Sequence, residues 1–189
     1  MTSIKPFEAT DLFELNPINL DPLTENFYLQ FYLQYLTKWP SLVFKSTSTD
    51  SISGYMLAKT EGSNKEWHAH ISAVTVNPNY RRLGLASELC DHLERATEGE
   101  PYNTYFIDLF VKVTNSLAIT MYKKLGYSIY RRVVGYYGSG NEISSNNRNM
   151  INDEIDAFDM RKSLKRDTAN ETIRENGEKV YALPHEIVF

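Results

Sequence analysis

A single cysteine, Cys90, stands in the 189 residues. That excludes an intrachain disulfide and fits a reducing compartment. With no second cysteine, and four histidines whose only close pair is His68/His70, a zinc-ligand spacing is missing and no metal is expected. Nowhere do about 18 apolar residues run together, so no membrane span is expected. The first residues, MTSIKPFEATDLFEL, are interrupted by Lys5, Glu8, Asp11 and Glu14 and lack the apolar core of a secretion signal. The chain is expected to be cytoplasmic. A global basic field is also absent: net charge is −4, which argues against direct nucleic-acid binding. Local basic clusters occur at Arg81-Arg82, Arg131-Arg132 and Arg161 to Arg166. Runs this short are ordinarily solvated surface, and only the first has a context that points elsewhere.

What remains is ordinary globular composition, 42% hydrophobic and 23% charged, enough for one domain with a real core. Thr10-Asp11 looks like a helix start, and Asn16-Pro17 and Asp21-Pro22 break the chain into a loop. A second helix is expected from Asn26 to Trp39. Its apolar arc, Phe27 to Trp39 with only Gln30, Gln34, Thr37 and Lys38 polar, is wider than one core face requires. A plain reading is a fully buried helix. Strands follow at 42–45, 53–59 and 68–76, then a helix from Leu85 to Thr97 with Leu85, Leu89, Cys90, Leu93 and Ala96 on one stripe. A strand at 105–113, a helix from Asn115 to Leu125 closed by Gly126, and strands at 127–134 and 155–162 complete an α/β (α+β) domain. Residues 138–153, rich in Gly, Ser and Asn, are expected as a flexible loop within a domain spanning 1–165, with 166–189 a peripheral tail.

The chemistry concentrates in VTVNPNYRRLGLASELCDHL, Val74 to Leu93. A strand ends at Asn77-Pro78, a turn carries two arginines and Gly84, and an amphipathic helix starts at once. The first helical N–H groups have no intrahelical acceptor and the helix dipole adds partial positive charge, an arrangement suited to a diphosphate. Gly84 permits close backbone approach, small Ala86 keeps the helix mouth open, and Arg81 and Arg82 offer charge-assisted bonds.

Arg81-Arg82-Leu83-Gly84-Leu85-Ala86 resembles the acetyl-CoA signature of the GNAT acetyltransferase superfamily, in the RRxGxA form of N-terminal acetyltransferases. Asn115 to Tyr127, with Asn115, Ala118, Tyr122, Gly126 and Tyr127 at the pattern positions, is similar to a second family block. Tyr136-Tyr137 resembles its paired tyrosines. Within the superfamily, 19–25, 31–36, Glu66-Trp67-His68 and Asp159 to Lys162 most resemble catalytic subunits of N-terminal acetyltransferase B (NatB). The similarity runs from about Ile4 to Asp167.

The resemblance implies a mixed, mostly antiparallel twisted sheet of about seven strands with about four helices, splayed between strands 4 and 5 for CoA. It implies a heterodimer with a large helical-repeat auxiliary subunit that docks near the second helix and brings the enzyme to ribosomes and nascent chains. For the site it implies pantetheine pairing with Ala73, Val74, Thr75 and Val76, an oxyanion donor among their N–H groups, and further cofactor contacts from Leu83, Leu85 and Asn115. Tyr122 would serve the leaving thiolate; its alternative is a core tyrosine on a face with Ala118 and Leu125. His70 is either a base acting through water or, with Ser72, a donor reading Asp, Glu, Asn or Gln after the initiator Met. Glu25, Asn26 and Phe27 would wrap that Met, with Tyr136 and Tyr137 opposite. Two rivals stay open: a GNAT enzyme acting on lysine or small amines, and a non-catalytic CoA-binding module.

Overall fold

The structure, a computed structural model, describes residues 2–22, 24–49, 51–138 and 151–187. They form two compact units, Met1–Thr60 with Ala69–Asn103 and Glu61–His68 with Thr104–Phe189.

The first unit carries β1 (Thr2–Pro6), α1 (Asn16–Asn19), α2 (Leu29–Lys38), β2 (Val43–Ser48), most of β3 (Ser51–Glu61) and β4 (His68–Val76), and α3 (Leu85–Glu98). Its strands lie side by side in chain order, with β1–β2 and β2–β3 antiparallel. Strand β1 was not expected: it is a polar edge strand ending at Pro6, with little of the apolar alternation that marks a strand. The segment after Thr10 is a 3-10 helix, Ala9–Glu14, rather than an α-helix. The Glu8 N–H donates to the Asp11 carboxylate at 2.7 Å at its start. The loop expected at Asn16-Pro17 is instead the short helix α1, because proline in a first turn removes an N–H that had no partner there.

Helix α2 buries Tyr32 and Tyr35 against Phe7, Leu15, Ile18, Val43, Ile52, Tyr55 and Leu57. It is not fully buried. Tyr28 and Leu29 are 91% and 61% exposed, and Leu33 also faces outward. Helix α3 buries Leu85, Leu89, Cys90 and Leu93 as its period predicts, with Thr97 taking the place expected for Ala96. The Thr97 hydroxyl donates to the Leu93 carbonyl at 2.9 Å, which makes its burial tolerable. The helix packs on β2, where the His92 ring stands edge-on to Phe44 at 4.7 Å.

The second unit carries β5 (Phe106–Lys112), α4 (Ser116–Lys124), β6 (Ser128–Val133), β7 (Ala157–Ser163) and β8 (Tyr181–Ala182), ordered β5-β7-β6-β8. Pairs β5–β7 and β6–β7 are antiparallel, and β8 joins β6 in parallel. With β1 and β8 the described residues hold eight strands, one beyond the expectation. The tail read as peripheral therefore reaches the sheet. Two residues of strand are too short to leave a period in the sequence. Asp167 anchors this segment by accepting from Ser163, Thr172 and the Glu171 N–H. Burial works against its charge, but these donors outweigh it and hold the carboxyl below its usual range. Of the expected loop 138–153, residues 139–150 lie outside the described residues.

Two basic clusters expected at the surface are partly interior. Arg161 is 2% exposed and bonds Asp159 and Glu66 while its guanidinium lies 3.7 Å from the Tyr130 ring centre. Arg132 pairs with buried Asp156 at 2.6 Å. Such cations are tolerated only with near-complete pairing, which comes here from nearby Asp159 and distant Glu66 for Arg161 and from distant Asp156 for Arg132.

Buried His68 stacks on Phe106 at 4.7 Å. Its Nδ1 lies 2.6 Å from the Glu66 carbonyl, which can only accept, so Nδ1 carries a proton. Nε2 faces Asp108 at 3.4 Å and Glu61 at 3.7 Å. Burial alone would depress the imidazole pKa, but Glu61, Asp108 and the carbonyl outweigh it and raise it. The resulting stability is fully present below the unfolded value near 6.5 and is lost as pH rises through the higher folded value. Thermal melts of the full chain should show Tm falling as pH rises above about 6.5. The His68→Asn variant should lose that slope; an identical slope in both would overturn the assignment.

Candidate active site

Within the first unit, β4 changes character along its length. His68, Ala69 and Ile71 are buried, whereas Ser72 to Val76 are all half-buried. This open half holds Ala73 to Val76, the residues assigned to pantetheine. Asn77 then accepts the Asn79 N–H at 3.0 Å and starts the turn. Gly84 closes it at φ +85°, ψ 0°, as the residue capping α3, and contributes no side chain there. The first intrahelical bond runs from the Glu88 N–H to the Gly84 carbonyl at 3.0 Å. The N–H groups of Leu85, Ala86 and Ser87 therefore precede any helical acceptor. A Cβ built on Gly84 meets nothing within 4 Å. The glycine thus leaves an open cradle before a helix N-terminus, which fits a diphosphate.

The two arginines of the turn differ. Arg81 pairs with Asp21 at 3.0 Å and donates from Nε to the Val76 carbonyl at 3.3 Å. Arg82 is exposed at φ +65°. Leu83 is also exposed, Leu85 is buried beneath the turn and Ala86 is half-buried.

Other assigned residues of this unit are tied together by side chains that the sequence did not single out. Tyr35 on α2 meets Ser72 on β4 at 2.5 Å. When Tyr35 donates, Ser72 keeps its own O–H for a ligand. Tyr55 donates to Asn19 at 2.9 Å, Asn19 donates to Tyr32 at 3.3 Å, and the Tyr32 and Tyr55 hydroxyls are 3.3 Å apart. Burial, with Tyr32 adding to it, drives the Tyr55 phenol above the ordinary tyrosine range, so it stays protonated. Asn26 donates to the Asn19 carbonyl at 2.8 Å, Phe27 stacks on Phe31 at 4.3 Å, and Glu25 is exposed. His70 is half-buried on β4. Only the aromatic richness of 27–39 hinted at this network, because its partners are tens of residues apart.

In the second unit, Asn115 caps α4 by accepting the Ala118 N–H at 3.1 Å. Its two amide N–H donors are what its side chain can still offer a ligand. Tyr122 is the buried residue of α4, with its ring edge-on to Tyr127 at 5.5 Å. Gly126 ends the helix at φ +91°, the left-handed C′ position expected of it. Tyr136 stacks on Phe110 at 4.6 Å, with Tyr137 edge-on to it at 5.0 Å.

The model of the acetyltransferase (GNAT) family matches residues 10–127. A catalytic subunit of the N-terminal acetyltransferase B complex from Saccharomyces cerevisiae is 52% identical across 100% of both chains. The chain belongs to the GNAT acetyltransferases, among the catalytic subunits of NatB. A solved NatB acetyltransferase complex bound to a bisubstrate inhibitor superposes with a TM-score of 0.86 at 61% identity, covering 99% of both chains. Another, bound to CoA and MES, has a TM-score of 0.71 at 59% identity and covers 86% of this chain and 99% of that one. Similarity in this NatB branch extends through the carboxy-terminal residues, beyond the Asp167 limit drawn from motifs. Among the described residues, no helix is long and apolar enough to cross a membrane.

Proposed function

We propose that this chain transfers acetyl from acetyl-CoA to the α-amine of the initiator Met in proteins beginning Met-Asp, Met-Glu, Met-Asn or Met-Gln. The observation that carries the reading is the open helix N-terminus at Gly84, directly after the half-exposed end of β4, in a chain 52% identical to a NatB catalytic subunit. The 81–86 turn holds the CoA diphosphate, with Arg82 free to turn toward the anion while Arg81 braces the turn on Asp21. Pantetheine lies along Ala73 to Val76, and Asn115 adds a donor.

A free α-amine has a pKa of about 7.7–8.0, so an appreciable fraction, roughly a tenth or more, is neutral near pH 7 and a strong base is not required. The amine nitrogen attacks the thioester carbonyl carbon, and a β4 backbone N–H stabilises the oxyanion. The C–S bond then breaks, and Tyr122 donates a proton or hydrogen bond to the departing CoA thiolate. The amine proton leaves to water, directly or through His70. Ser72, together with His70 where that residue is not the base, donates to the side-chain oxygen shared by Asp, Glu, Asn and Gln. An apolar side chain would strand those donors, which is how the site rejects it. Glu25, Asn26 and Phe27 wrap the Met, and Tyr136 and Tyr137 bind the peptide backbone.

The outward face of α2, with Tyr28, Leu29 and Leu33, receives a helical-repeat auxiliary subunit that brings the enzyme to ribosomes in the cytoplasm. A recess there is lined by apolar Leu29 and Leu33 together with Gln30, Gln34, Thr37 and Lys38.

Acetyl-CoA offered with peptides beginning Met-Asp or Ser-Ala, or carrying only an internal lysine, separates the readings when free thiol is followed. Thiol release with the Met-Asp peptide alone is expected. Release with the lysine peptide alone would favour the lysine-directed alternative, and binding without any release a non-catalytic module.

A further inference from the structure

The Tyr136-Tyr137 turn is held by a buried ion pair that the acetyl-transfer chemistry does not use. Asp156 is 0% exposed. Its Oδ1 accepts the Gly135 N–H at 2.7 Å. Its Oδ2 accepts Arg132 Nε at 2.8 Å and the Asn152 N–H at 3.0 Å, and lies 2.6 Å from the second guanidinium nitrogen. Arg132 stands on β6 immediately before the turn and reaches Asp153 at 2.6 Å as well. The neighbouring backbone is tied in the same way. The Val134 N–H donates to the Ala182 carbonyl at 2.9 Å and the Tyr137 N–H to the Ile155 carbonyl at 2.8 Å. Gly135 adopts φ +71°, which a side chain would strain, and its carbonyl accepts the Gly138 N–H at 3.1 Å.

A buried Arg–Asp pair contributes little net stability over an apolar pair of similar volume. Here the carboxylate does something an apolar residue cannot: it fixes two main-chain N–H groups. One belongs to the residue next to Tyr136. We propose that Asp156, oriented by Arg132, is a positioning residue that sets the Tyr136-Tyr137 turn for peptide binding. This rests on the reading of those tyrosines as peptide contacts. Asp156→Asn puts an amide donor into a cluster that needs acceptors. The turn then loses its geometry while β6 and β7 keep their ladder.

Steady-state kinetics of the full chain with a Met-Asp peptide tests this. Asp156→Asn should raise the peptide KM about tenfold, while kcat and the acetyl-CoA KM stay within about twofold. A Tyr136→Ala/Tyr137→Ala variant should raise the peptide KM too, and adding Asp156→Asn to it should change little more. If the tyrosine variant raises the peptide KM and Asp156→Asn does not, the positioning role falls and the peptide reading stands. If the tyrosine variant leaves the peptide KM unchanged, the peptide reading falls and takes the positioning role with it. Should Asp156→Asn fail to fold, Arg132→Lys keeps the cation but loses the fork, and is expected to raise the peptide KM about threefold. Any other result from folded Arg132→Lys, including equal losses in kcat and both KM values, would mark the pair as merely structural and overturn the proposal.

Discussion

Gly84→Asp is expected to raise the acetyl-CoA Kd at least about a hundredfold while the chain stays folded. The two halves of that expectation come from different observations. A Cβ at this position meets nothing within 4 Å, so the new side chain starts into open space. The left-handed φ of +85° costs a non-glycine residue about 1–2 kcal/mol. An acidic residue at a helix start recovers about 0.3–1 kcal/mol of that from the dipole. The open space that accommodates the new side chain is the space assigned to the diphosphate. A carboxylate placed there takes the helix N–H groups for itself and repels the anion. Gly84→Ala serves as the control, carrying the backbone strain without the charge, and should weaken binding about tenfold or less. Titration calorimetry reads the affinities and a thermal melt reads the fold. Wild-type affinity in folded Gly84→Asp would remove the diphosphate site and the function built on it.

Tyr122→Phe should lower kcat about a hundredfold, with little change in either KM. The ring is buried on α4 and meets Tyr127 edge to face, contacts that phenylalanine keeps. What the substitution removes is the hydroxyl. If that group serves the departing thiolate, its loss is felt only as the C–S bond breaks, so kcat falls and ground-state binding does not. If Tyr122 is instead a core tyrosine, the melting temperature falls and kcat holds. A pre-steady-state measurement of thiol release distinguishes these outcomes without relying on product release.

The site's central segment was legible because its chemistry is local. From Val74 to Leu93 a strand ends, a turn forms and a helix starts within a few residues, and the unpartnered N–H groups follow from helix geometry alone. Gly126 was legible for the same reason, and its φ of +91° meets the expectation. The Tyr55–Asn19–Tyr32 triangle was not. It joins α1, α2 and β3, and no spacing in the sequence marks three polar groups that meet only after the sheet has formed. Helix α2 was half legible: its apolar excess was plain, but which residues turn inward depended on what β2 and β3 present to it. The basic pairs misled, because nothing beside Arg132 marks Asp156 as its partner, and Asp159, two residues from Arg161, shows its burial only once the sheet has formed.

By itself the sequence determined the order of the main strands and helices and the strand–turn–helix around Gly84, each of which rests on local contacts or a hydrophobic period, while motif resemblance gave the catalytic family. Only the tertiary structure decided that Arg81 braces the turn on Asp21, that Tyr28 and Leu29 face outward, and that Asp156 holds the tyrosine turn. The environment of a charged or amphipathic side chain is set by partners distant in sequence, and its burial is tolerated only where the fold brings those partners within hydrogen-bonding reach.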